Sequence, residues 1–207
     1  MSMRIVNRLA GIRAALGEAV VSGPLASDPM PGVSLRALTV NRDPRGTLTE
    51  LLRSDWDGVY GPEMTFAQTY VSVTRPGIAR DEDRWHVHER QTDRFVVLAG
   101  TIVVAVADAR PGSPTEGRLL LALMQAEADA PAPYLLTVPP GTLHGLIALG
   151  DGPAMLQNFP TRLWDASDEG RVPFAEAGVT LADGAPFSWD LLRAALAGPW
   201  LAGGPGR

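Results

Sequence analysis

The chain contains no cysteine and no lysine. Without cysteine there is neither a disulfide framework nor a thiolate nucleophile. Without lysine, all 18 basic side chains are arginine, so a mechanism through a lysine amine, such as a Schiff base, is excluded. Histidine is scarce as well, with three in 207 residues. The formal net charge is −5 and no basic stripe breaks it, which argues against nucleic acid or an anionic membrane as a partner. Long apolar runs are also missing. The longest, Phe95 to Ala107, is broken by Gly100-Thr101 and is too short to cross a bilayer. Arg4, Arg8 and Arg13 interrupt the amino terminus, which lacks the compact apolar core and cleavage site of a secretory signal. These absences point to a cytoplasmic protein that handles a small molecule.

Proline and glycine are abundant, at 18 and 22 residues, and favour many turns over long helices. Ile5, Leu9, Ile12, Leu16 and Val20 recur at helical spacing, which predicts an amphipathic helix over residues 3–21. A Pro/Gly/Ser linker follows to residue 34. From Leu35 short alternating segments separated by Gly and Pro turns predict strands. They include 47–52, 65–73, a strand through His86, 95–98, 102–106, 118–124, 134–138, 145–149 and 154–158. Gly100 is expected to turn a tight hairpin. A short helix is expected over Ser188–Leu196. The division predicted is 1–34 helix and linker, 35–160 barrel, 161–207 carboxy-terminal extension, and the fold class all-β, a closed sandwich or barrel.

The three histidines fall in two stretches, Trp85-His86-Val87-His88 and Pro139-Pro140-Gly141-Thr142-Leu143-His144. In a strand, His86 and His88 point to the same face. Asp93 follows five residues later, and His144 begins a later strand after a turn. His86, His88, Asp93 and His144 together suit one divalent transition metal: iron, manganese, nickel or zinc. Hydrogen-bonding or acid–base roles for the same side chains remain open. Gln91 and Arg94, flanking Asp93, are candidates for contacting substrate. Trp85 reads as core and Glu89 as a solvated side chain.

The spacing His86-x-His88, Asp93, Gly100, then Pro139-x-Gly141-x-x-His144 resembles the two-part cupin metal motif. Five stretches resemble more closely the dTDP-4-dehydrorhamnose 3,5-epimerase family. They are Asp43-Pro44-Arg45-Gly46-Thr47-Leu48-Thr49-Glu50; Phe66-Ala67-Gln68 with Ser72; Gln91-Thr92-Asp93-Arg94; the loop Asp108 to Gly117 with its Ser113-Pro114-Thr115; and Val138 to Gly145. The resemblance implies a cupin (double-stranded β-helix, jelly-roll) barrel, a nucleotide-sugar substrate and a homodimer. It implies that His86 is the catalytic base, that Arg45 and Glu50 help hold the nucleotide from a neighbouring subunit, and that Gln68 contacts substrate. It also shows departures. The family's arginine three before the catalytic histidine is Asp83 here, its lysine falls on Asp93, and its tyrosine acid has no counterpart near 157–164.

Three function classes follow. The first is an epimerase or isomerase of a keto sugar, with an ion replacing the lost electrophile. The second is an iron-dependent cupin oxygenase, and the third a binding protein without catalysis. If His86 ligates an ion, its lone pair is committed, and the base falls to ion-bound hydroxide, Glu50, Tyr70 or Glu89.

Overall fold

The computed structural model describes Leu9 and residues 12–14, 17–18, 20–126 and 133–196. The strands are β1 (Arg13–Ala14), β2 (Gly17–Glu18), β3 (Val20–Val21), β4 (Ser34–Ala37), β5 (Val40–Asp43), β6 (Gly46–Thr49), β7 (Tyr70–Thr74), β8 (Arg84–His88), β9 (Asp93–Ala107), β10 (Leu119–Ala126), β11 (Tyr134–Val138), β12 (Leu143–Leu149), β13 (Ala154–Asn158) and β14 (Glu169–Pro173). A 3-10 turn (Phe174–Glu176) and the helix α1 (Trp189–Leu196) follow. The strands build two facing sheets, ordered β14-β8-β12-β9-β10-β3 and β4-β11-β9-β13-β7. Strands β5 and β6 form a separate hairpin. The fold is the cupin jelly roll expected from the sequence.

Strand β9 belongs to both sheets. Its first half pairs with β11 and β13, its second half with β10 and β12. The expected hairpin at Gly100 is therefore corrected to a bend within one 15-residue strand. Gly100 has φ +72°, and a Cβ there would lie 3.0 Å from both Ala154 Cα and the Pro153 carbonyl oxygen. Positive φ bends the chain, but the pairing on both sides continues, so the strand crosses between sheets instead of reversing. Gly100→Ala should cost roughly 2–4 kcal/mol, combining left-handed strain with overpacking. Denaturant unfolding measures it, and a loss under about 1 kcal/mol would mean that the bend relaxes.

Alternation along β9 divides the core. Ile102, Val104 and Val106 face between the sheets with Phe95, Val97, Leu136 and Leu156. Val103, Ala105 and Ala107 face outward, under Trp85, Phe187, Trp189 and Leu192. Burying each of these large side chains stabilises the fold by about 1.5–3 kcal/mol. Helix α1 forms because Trp189, Leu192 and Leu196 share one buried face and Ser188 Oγ accepts the Asp190 N–H at 3.2 Å. Trp85 is core, as expected, stacked on Phe187 with centroids 4.9 Å apart.

The expected amino-terminal helix is corrected at residues 13–14, 17–18 and 20–21, which are strand. Residues 13–14 and 17–18 pair as a short hairpin, and Val20–Val21 adds a parallel strand to β10. Leu9 is helical and buried, while the rest of the expected helix lies outside the described residues. The apolar side chains still reach the core, with Ile12 and Val20 packing on the outer cluster. An otherwise unpaired edge of β10 favours the β-branched Val20-Val21 as a strand over the helical period. Strand β14 was not expected, and it covers the far edge of β8. Among the described residues, no helix is long and apolar enough to cross a membrane.

Candidate active site

Register sets the site. His144 on β12 lies directly opposite His86 on β8, and His88 follows His86 by two residues on the same face. The ring centroids are 4.5 Å apart for His86–His88, 5.1 Å for His86–His144 and 6.0 Å for His88–His144. One donor nitrogen from each lies within 4.8 Å of the others. Asp93 opens β9 on the opposite sheet. Its side chain is buried and aimed at the imidazoles, with Oδ2 3.3 Å from His144 Nε2 and 3.5 Å from His88 Nε2. The four side chains named from sequence spacing thus converge inside the barrel.

The surroundings fix these groups. Asp93 Oδ1 accepts from Gln91 Nε2 and from Asn158 Nδ2, both at 2.8 Å. Asn158 is oriented in turn, because its Oδ1 accepts the Arg94 N–H at 3.0 Å. Burial opposes ionisation of Asp93, yet the imidazole of His144 close by and the hydrogen bond from Asn158 outweigh it and hold the carboxyl below its ordinary value. His88 Nδ1 lies 3.3 Å from the Asp168 carbonyl and 3.5 Å from its carboxylate. His144 Nδ1 lies 3.3 Å from the Thr142 carbonyl. His86 differs, since its Nε2 is buried with no hydrogen-bond partner; the carboxylate of Glu169 stands 3.9 Å away. Burial, then repulsion from His144 and His88, pushes the His86 pKa down to about 3.

A cavity of about 320 Å³ opens here between the sheets, lined by Tyr70, Ser72, His86, Asp93, Phe95 and His144, with Arg80 and Arg171 also in its wall. A second hollow of about 300 Å³ shares Tyr70 and His86 with it and includes Gln68, Gln91 and Trp164. Tyr70 comes from β7, on the sheet opposite His86, and its hydroxyl accepts from Asn158 Nδ2 at 2.9 Å. Burial raises the phenol pKa, only partly offset by that bond.

Other expected site residues lie elsewhere. Glu50 follows β6 instead of sitting within a strand, and it pairs with Arg53 at 2.9 Å. Arg45 is exposed at the tip of the β5–β6 hairpin, paired with Asp43. Neither reaches the cavity of its own chain. Arg94 is fully buried and faces away from Asp93, as alternation along β9 demands. Its guanidinium donates to the carbonyls of Phe159, Val59, Met64 and Thr65, so it is spent on the fold and not on substrate. Asn158, Asp168, Arg80 and Arg171 were missed. Asn158 had a signal, being an amide on the buried parity of Ala154, Leu156 and Asn158. Asp168 had none, lying in a stretch without periodicity.

The model of the dTDP-4-dehydrorhamnose 3,5-epimerase family matches residues 27–183. The chain belongs to that family. It is similar to a probable low-salt glycan biosynthesis epimerase of Haloferax volcanii, 40% identical over 146 residues, or 69% of this chain and 86% of that protein. The spore coat polysaccharide biosynthesis protein SpsL of Bacillus subtilis is 31% identical over 161 residues, 77% of this chain and 95% of SpsL. Among solved structures, a dTDP sugar isomerase from Desulfovibrio desulfuricans G20 superposes with a TM-score of 0.65 at 28% identity, covering 80% of this chain and 96% of the other. The chain is thus a sugar-epimerase-type enzyme of the isomerase class. Tyr70 lies outside the stretch where the resemblance places the family's tyrosine, yet β7 pairs with β13 so that Tyr70 stands opposite Asn158. A phenol therefore enters the cavity from the neighbouring strand.

Proposed function

We propose that this enzyme inverts a carbon next to the ketone of a keto sugar carried on a nucleoside diphosphate. The observation that carries the reading is that His86 and Tyr70 line one cavity from opposite sheets. Inversion requires a proton to leave one face of a carbon and another to arrive at the opposite face. The unpartnered Nε2 of His86 takes the proton as the C–H bond breaks, and the electron pair moves onto the carbonyl oxygen as an enolate. The Tyr70 hydroxyl then gives its proton to the other face of the same carbon, and the carbonyl reforms. Asn158 holds the phenol oxygen in place.

The rim suits the anionic carrier. Arg80 donates to Thr74 Oγ1 at 3.0 Å and to the Val73 carbonyl at 2.9 Å, both neutral acceptors. Among the described residues no carboxylate pairs with it, so its charge is available to a diphosphate. Trp164, 69% exposed, offers a flat apolar face beside the second hollow. The test is solvent exchange: nucleotide-linked 4-keto sugar incubated with the enzyme in deuterium oxide should take up deuterium next to the ketone and yield an epimer. The unlinked sugar should do so far more slowly. No label in the linked sugar would end the reading.

The reading includes a homodimer. Among the described residues, strand β7 is an edge strand whose Val71 and Val73 are exposed, as are Phe66 and, on the β5–β6 hairpin, Leu48. An uncovered apolar edge invites a second copy. Arg45 and Glu50, idle in their own chain, would then act on a neighbour's substrate. Light scattering should report a dimer, and a monomer at micromolar concentration would remove this part.

A further inference from the structure

We propose that His88, His144 and Asp93 hold a divalent transition-metal ion beside the substrate ketone, with His86 left free. The site itself stands on geometry, and its role in the reaction rests on the epimerase reading above.

His88 Nδ1 faces only acceptors, the carbonyl and carboxylate of Asp168. That carboxylate is itself fixed by the Arg90 and Gln91 N–H groups, at 2.9 and 3.1 Å. His144 Nδ1 faces the Thr142 carbonyl. In the neutral ring each proton therefore sits on Nδ1, and each Nε2 carries a lone pair. Both lone pairs point at Asp93 Oδ2, at 3.5 and 3.3 Å. The other carboxylate oxygen is already saturated by two amides. Three acceptors facing one another in a buried place repel unless a cation lies among them. The two nitrogen–oxygen separations, 3.5 and 3.3 Å, match donor atoms that share one ion at about 2.0–2.2 Å each. A ring whose second nitrogen donates to a carbonyl or carboxylate is also the usual arrangement of a ligating histidine.

His86 brings a ring nitrogen within 4.8 Å of those of His88 and His144, but among the described residues only His88 and His144 lie within ion-pair distance of Asp93. The structure gives His86 Nε2 no hydrogen-bond partner, and the carboxylate beside it is Glu169, not Asp93. The Gln91 amide now donates to His88 Nε2 at 3.0 Å, and it is the group an arriving ion would displace. The chemistry supplied would be Lewis acidity at the enolate oxygen, a role open in a chain without lysine.

The competing occupant is a proton, which would make His88 or His144 an imidazolium paired with Asp93. Metal analysis of untagged protein, followed by cobalt(II) titration of the stripped protein, separates the two. We expect about one equivalent of transition metal as purified, and a visible cobalt band saturating near one equivalent. His88→Ala, His144→Ala and Asp93→Asn should each bind less than about a tenth of an equivalent, while His86→Asn keeps the ion. The cobalt band of the wild type needs no variant to fold. Its absence overturns the site, and so does loss of the ion in His86→Asn. Ion uptake without deuterium exchange would keep the site and remove the epimerase reading. Full-rate exchange by metal-free protein would overturn the ion's role.

Discussion

His86→Asn should lower the rate of deuterium exchange next to the ketone by roughly 10²–10⁴-fold, the usual contribution of a positioned general base. KM should change little, since the side chain meets the reacting carbon and not the nucleotide carrier. The unfolding midpoint should also hold, because His86 Nε2 gives up no hydrogen bond when it is removed. Tyr70→Phe should behave differently. Removal of the proton at His86 survives, but nothing delivers one to the opposite face, so label enters without inversion. The pair of variants therefore separates proton removal from proton delivery. A His86→Asn enzyme within tenfold of wild type would move the base elsewhere. Tyr70 would be the remaining group from the original candidates in this cavity, since Glu50 does not enter it in its own chain.

Much of this arrangement is legible in the sequence. A period of two put His86 and His88 on one face, and scarcity of histidine made His144 their partner. The motif spacing carried Asp93. What escaped shares one physical cause: it depended on pairing between distant segments. Gly100 looks like a hairpin because a glycine between two apolar runs has the same local signature whether the chain reverses or bends. Only the partners on both sides of β9 decide. Val20-Val21 joined a sheet edge that a helical periodicity does not see. Asp168 reached His88 because β14 pairs with β8, and no local pattern marks that strand. Arg45 and Glu50 resemble the family's nucleotide-holding residues, yet among the described residues of their own chain they pair only with Asp43 and Arg53.

Arg94 was also misread from local context, and its replacement should have the largest effect on stability. As a neighbour of Asp93 it looked like a substrate contact, but one step along a strand reverses the face. Its guanidinium is wholly buried and donates at 2.7 Å to Phe159 O, 2.7 Å to Val59 O, 2.9 Å to Met64 O and 3.2 Å to Thr65 O. Burial lowers its pKa, but an arginine keeps its charge, so those carbonyl dipoles are what solvate the cation. Three of them, from Val59, Met64 and Thr65, belong to the segment that leads into Gln68 and Tyr70, so the same side chain fixes the approach of β7 to the cavity. Arg94→Met fills similar space and leaves four carbonyls without a donor. Each buried unpaired group costs about 1–3 kcal/mol, and partial relaxation should bring the total to about 3–5 kcal/mol. For a chain of this size that corresponds to a fall in Tm of roughly 6–20 °C. Arg94→Lys, with one nitrogen for four acceptors, should recover only part of it. A substrate-binding arginine would give the opposite pattern, a raised KM with Tm unchanged. Calorimetry and deuterium-exchange kinetics on the same two variants tell these apart.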